Sequence, residues 1–112
     1  MDLNKKVYKK IEDGNYTLFI KAWELKAIPT KYGDVWEHVE IQAMMDTRPV
    51  NIKLNEVGVD ILASNIINYY ELDEMTQAEA LDHIVGKEVP AYHETKSTEE
   101  GKTFYNWFLC RK

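Results

Sequence analysis

The chain has 112 residues, of which 45% are hydrophobic and 12% aromatic, and it carries a formal net charge of −5. This length allows one domain around a single modest core, and the composition excludes a disordered chain. No apolar run approaches the roughly 18 residues of a membrane-spanning helix, and the basic first residues lack the apolar stretch of a secretory signal.

A single cysteine, Cys110, cannot form an internal disulfide and has no second thiol at metal-ligand spacing. A reducing, cytoplasmic setting is therefore expected, with no membrane contact. The charge is unevenly spread. Residues 55–86 hold seven carboxylates (Glu56, Asp60, Glu71, Asp73, Glu74, Glu79 and Asp82) and no Lys or Arg, which leaves 12 acidic and 14 basic residues elsewhere. The remainder is mildly basic, a distribution that permits a polyanionic partner on one side.

Residues 1–13 set Lys5, Lys6, Lys9 and Lys10 around Leu3, Val7, Tyr8 and Ile11 and read as a flexible or helical N-terminal arm. Asp13-Gly14-Asn15 signals a turn. Alternation over 16–26 follows, with Tyr16, Leu18, Ile20 and Ala22 on one face and Thr17, Phe19, Lys21 and Trp23 on the other. Residues 28–34 read as a loop, since Pro29 has no N–H for a ladder and Gly33 admits a positive φ. A second strand over 35–45 opposes Val35, Val39, Ile41 and Ala43 to Trp36, His38, Glu40 and Gln42. A turn over 46–49 leads to a short third strand over 50–54.

The period then becomes helical. Val57, Ile61, Leu62, Ile66 and Tyr69 recur behind Asn55, a suitable N-cap. Thr76 and Glu79 have capping-box spacing, and Gly86 stands where a C′ glycine belongs. Ala80, Leu81, Ile84 and Val85 are the expected buried side of this second helix. Final strands over 87–94 and 102–111 flank a polar turn at 95–101. The order β-β-β-α-α-β-β describes a mainly-β domain with inserted helices and reads as one unit over residues 1–112. It matches the OB-fold, a five-stranded Greek-key barrel with its helices between strands three and four. An open α+β sheet with helices on one side has the same order.

The last strand carries Phe104, Tyr105, Trp107 and Phe108, aromatics on both of its faces. Tyr105 and Trp107 are expected outward, because Phe104, Phe108 and Cys110 have the least polar character to offer water. Trp23 and Trp36 flank the first loop. Flat aromatic faces can stack on bases, while lysines track phosphates. The candidate nucleic-acid-binding residues are accordingly Lys21, Trp23, Lys31, Tyr32, Trp36, Lys53, Lys102, Tyr105 and Trp107. Asn106, between two aromatics, is placed either to read a base edge or to satisfy a neighbouring strand. Structural packing of the same aromatics is the competing reading.

Catalytic signatures are lacking. His38, His83 and His93 have no metal-binding spacing, and there is no phosphate-cradling glycine loop or nucleophile elbow. The expectation is a non-enzymatic protein without cofactor or metal.

These features together resemble the small OB-fold single-stranded-DNA-binding proteins of bacteriophages and mobile elements of Gram-positive bacteria. The likeness runs from Gly14 to the end of the chain and rests on four stretches. These are the Gly14-Asn15-Tyr16 strand opening, the Lys31-Tyr32-Gly33 loop, the Gly86-Lys87-x-Val89 entry and the closing Gly101-Lys102-Thr103-Phe104-Tyr105-Asn106-Trp107 strand. Two departures stand out: no acidic tail follows Arg111, and the net charge is negative. The resemblance implies binding of single-stranded DNA, or RNA, in replication or recombination. It also implies replication or recombination partners, for which the acidic segment 71–82 would substitute as a docking site, and a homo-oligomer. The alternative is a protein-interaction or assembly module whose exposed aromatics form a dry interface.

Overall fold

The computed structural model describes residues 1–111. Its elements are β1 (Gly14–Pro29), β2 (Val35–Met45), β3 (Arg48–Leu54), α1 (Glu56–Tyr69), α2 (Gln77–Ile84), β4 (Glu88–Ser97) and β5 (Thr103–Leu109). The strands form one five-stranded antiparallel sheet in the order β3-β2-β1-β4-β5. Each expected element is present, but β1 takes in Ile28 and Pro29, expected in the loop, β3 starts at Arg48, inside the expected turn, and β4 runs on to Ser97. The expected barrel would need a ladder between β3 and β5. Among the described residues these two strands are instead the edges of an open sheet.

β1 is long because it serves two partners. Gly14 to Phe19 pair with β4, and Phe19 to Pro29 pair with β2. At the handover Ile20 faces Ala43 while Ala22 faces Gln42, so Lys21 is an extra residue, a β-bulge. Side chains alternate with a period of two, so one inserted residue exchanges the faces beyond it. Leu18 and Ile20 point into the core before the bulge, and Trp23 packs against that core after it. This overturns the expected face assignment, which set Ala22 inward and Trp23 outward. Backbone bonds secure the crossing: Ile20 N–H donates to Lys87 O at 3.0 Å, and Gly86 N–H donates to Ile20 O at 2.7 Å. Gly86 has φ +82°, a conformation that side chains rarely adopt.

The helices close the core from one side. Asn55 Oδ1 accepts from Gly58 N–H at 2.8 Å, the predicted N-cap, and Thr76 and Glu79 complete the predicted capping box. α1 buries Val59, Leu62, Ala63 and Ile66, spaced i, i+3, i+4 and i+7. That stripe is rotated from the expected one, and Val57, Ile61 and Tyr69 are exposed. Ala63 is the small member of the buried stripe. Gly58 permits a close approach of Leu54, since a Cβ there would meet Leu54 Cδ2 at 3.2 Å. α2 buries Ala80, Leu81 and Ile84 as expected, but Val85 is its C-cap and lies exposed. Together with Leu18, Ile20, Ile41, Ile52, Val89 and Leu109 these residues form one core. Each large aliphatic side chain in it contributes about 1.5–3 kcal/mol of burial.

The N-terminal arm carries no helix. It lies against the sheet through Ile11, which packs on the core, and through Arg48, whose guanidinium donates to Lys9 O and covers the Tyr8 ring. Asp13 ends the arm. Its carboxylate accepts from Thr95 Oγ1 at 2.8 Å and lies 3.4 Å from His93 Nδ1. The Thr95 hydrogen bond, foremost, holds this carboxyl below its ordinary range.

Candidate nucleic-acid interface

The open edges of β3 and β5 face each other across the exposed flank of α1, and the space between them is a cleft of about 580 Å³. β3 contributes Lys53 and Leu54, and the start of β2 contributes Trp36. α1 contributes Ile61, Leu62 and Asn65, while β5 contributes Phe104, Asn106, Trp107 and Phe108. Its size lies within the range of about 300–1,000 Å³ that small ligands occupy. Four aromatic rings, three asparagines and one lysine line it, and no carboxylate does. Two other depressions, one around Tyr92 and Arg111 and one around Tyr105 and Arg48, also lack carboxylates, so it is the four rings that set the cleft apart.

Alternation in β5 decides which rings are available. The pairs Ala91↔Leu109 and His93↔Trp107 lie on the core side, and Tyr92↔Phe108 and Lys96↔Phe104 on the other. Trp107 packs against the core and meets His93 and Tyr16 edge-on, with ring centroids 4.8 and 5.7 Å apart. Phe104 is 51% exposed. The expectation that Tyr105 and Trp107 face outward and Phe104 and Phe108 inward is thus reversed for Trp107 and for both phenylalanines. Ranking by polarity failed because buried Leu109 sets the phase of the strand from its far end, while Cys110, just beyond β5 with φ +55°, does not continue the alternation. Phe108 and Tyr92 share Arg111, whose guanidinium lies 5.0 Å from each ring. This cation–π pair puts a positive charge beside the cleft.

Trp36 is 43% exposed and stacks on His38 with ring centroids 4.0 Å apart and planes 18° apart. His38 is itself buried, next to Glu40, whose carboxylate is paired with Lys26 at 3.3 Å. One face of the indole is therefore backed, and the ring is held in place. Neither ring nitrogen of His38 has a hydrogen-bond partner among the described residues.

Of the nine candidate residues, Trp36, Lys53 and Trp107 meet in the cleft. Lys102 lies just ahead of Phe104, its N–H bonded to Thr98 Oγ1 in the β4–β5 turn. Lys31 and Tyr32 belong to the exposed tip of the β1–β2 hairpin, with the ammonium 5.1 Å from the ring. Lys21 stands exposed on the bulge and outside the cleft lining. Trp23 is half-buried, and its Nε1–H donates to Asp82 Oδ1 at 2.7 Å, which ties β1 to α2. Tyr105 lies near Lys10 and lines a separate depression shared with Arg48 and Trp107.

Ile61 and Asn65 were missed because the strand pattern carries no information about which helix residues approach an edge. In the acidic segment, Asp82 and Glu79 are engaged by Trp23 and by the capping box, and Asp60 accepts from Gln77. Glu71, Asp73 and Glu74 are exposed in the α1–α2 connection.

No protein-family model, curated protein or solved structure matches the chain.

Proposed function

We propose that this protein binds single-stranded nucleic acid, with DNA the expected form, and that it does so without catalysis. The observation that carries the reading is the cleft between β3 and β5, which combines four aromatic rings with a lysine and excludes every carboxylate. Base-on-aromatic stacking contributes about 1–3 kcal/mol per base and needs no duplex partner. Lys53 at the cleft, with Lys102 just before β5 and Arg111 just after it, would meet phosphates. The finer fold proposal is an OB-type Greek-key barrel whose two unpaired edges form this cleft. Support comes from the strand order, in which β1 joins β2 on one side and β4 on the other. A role in replication or recombination of a phage or mobile element, with Glu71, Asp73 and Glu74 as the protein-docking part, belongs to the same proposal.

The test is tryptophan fluorescence titrated with oligo-dT at low and high salt. Quenching that weakens with salt is expected. A folded protein with no response at low salt would end the reading.

A second reading, an assembly module, draws on the β1–β2 hairpin, where Leu25, Ile28 and Val35 are exposed. Apolar side chains on an extended arm favour a protein interface. Concentration-dependent dimerisation on a sizing column, without a nucleic-acid response, would support it instead.

A further inference from the structure

We infer that the cleft takes an unstacked base between the rings of Trp36 and Phe104 and that the Asn106 amide reads the edge of that base, making binding base-selective. This rests on the nucleic-acid reading of the cleft and adds discrimination to it. Stacking alone tolerates every base, because each has a π-face. Selectivity needs directional polar groups, and the cleft supplies them in an unusual form.

Asn106 follows Phe104 by two residues and lies on the same face of β5. It is partly buried, and its side chain makes no hydrogen bond among the described residues. The cross-strand neighbour, Glu94, is directed to Lys96 at 3.8 Å rather than to the amide. An amide has donors and an acceptor side by side, which matches the adjacent donor and acceptor on a base edge. A phosphate, which only accepts, matches it poorly. Leaving such a group unpaired once a base covers it is costly, so a ligand that satisfies it gains over one that cannot.

The two rings are suited to unequal roles. Trp36 is backed by His38 on one face, leaving the other for a base, and needs little ordering on binding. Phe104 has no aromatic partner among the described residues and is free to close from the opposite strand. Asn65, on α1, lines the same cleft and is placed to share the edge.

The experiment compares oligo-dA, oligo-dC and oligo-dT by tryptophan fluorescence at one salt concentration. It uses the wild-type protein, Asn106→Ala and Asn106→Ser, with thermal melts to confirm that the variants are folded. The wild type should separate its best and worst ligands by about tenfold. Both variants should bring the three within about threefold, chiefly by weakening the best one. Equal wild-type affinities for the three oligomers would overturn the inference, as would selectivity that survives in both folded variants. Absence of binding to all three would instead remove the nucleic-acid reading itself, and this inference with it.

Discussion

Trp36 and His38 lie face to face, two residues apart on one side of β2, with planes inclined by 18°. The imidazole is only 2% exposed, so it acts as a fixed support beneath a ring that is half open to solvent. A stacked aromatic pair contributes about 0.5–1.5 kcal/mol beyond its area burial. We expect His38→Ala to weaken oligo-dT binding by about three- to tenfold. No group in the proposed base position is removed, because the support lies behind the indole. Fluorescence titration with a parallel thermal melt checks this, and unchanged affinity in a folded variant would show that the indole needs no backing.

The tryptophans should separate cleanly by role. Trp23 donates to Asp82 and belongs to the packing of α2 on β1. Trp23→Phe should lower stability by about 0.5–1.5 kcal/mol through the lost hydrogen bond and leave oligo-dT affinity unchanged. Trp36→Phe should abolish most of the quenching signal while leaving the fold intact. Denaturant melts and titrations of the two variants distinguish these outcomes; quenching lost in Trp23→Phe would reverse the assignment.

How far the sequence reaches can be seen in particular residues. Asn55, Thr76 with Glu79, and Gly86 mark their helix ends correctly because capping is local chemistry between near neighbours. The seven elements follow for the same reason. Trp23 was assigned to the wrong face because the bulge at Lys21 depends on where β1 changes partners, a tertiary fact without a local signal. Phe104, Phe108 and Trp107 were misassigned because a strand with aromatics on both sides has no apolar phase of its own. Trp36, Lys53 and Trp107 were legible as part of a site by residue type. Ile61 and Asn65 became visible only once α1 was set beside the edges of β3 and β5.

Electrostatics give a graded prediction. Each phosphate contact in a single strand contributes about 0.7 to the slope of log affinity against log salt. Lys53→Ala, which removes the one lysine lining the cleft, should reduce that slope by about 0.7. Lys21→Ala, on the bulge, should leave it unchanged. Titrations across a series of salt concentrations measure both; equal slopes for the two variants would mean that phosphates do not follow the cleft.

Burial pushes the Cys110 thiol up to about 11 from its ordinary 9.0. The native thiol should therefore react slowly with a disulfide reagent at neutral pH and rapidly once the chain is unfolded. A raised thiol pKa favours the folded state most fully below the unfolded value. Stability from this group should thus be intact below pH 9.0 and be lost progressively as pH rises towards about 11. Cys110→Ala should flatten that alkaline decline, which denaturant melts at several pH values would reveal.

Lys21 matters to this molecule by occupying a place more than by what its ammonium does. It works as a frame shift in a two-letter code, turning inside to outside for every later residue of β1. Substituting it should be mild, because the side chain already faces water. Drawing it into the ladder opposite Gln42 would leave the sequence untouched, yet it would send Ala22 and Glu24 towards the core while expelling Trp23. The indole would then lose Asp82, and α2 its tie to the sheet. For variants of this chain, whether Trp23 keeps Ile41 as its partner is therefore a more telling quantity than the identity of the residue in the bulge.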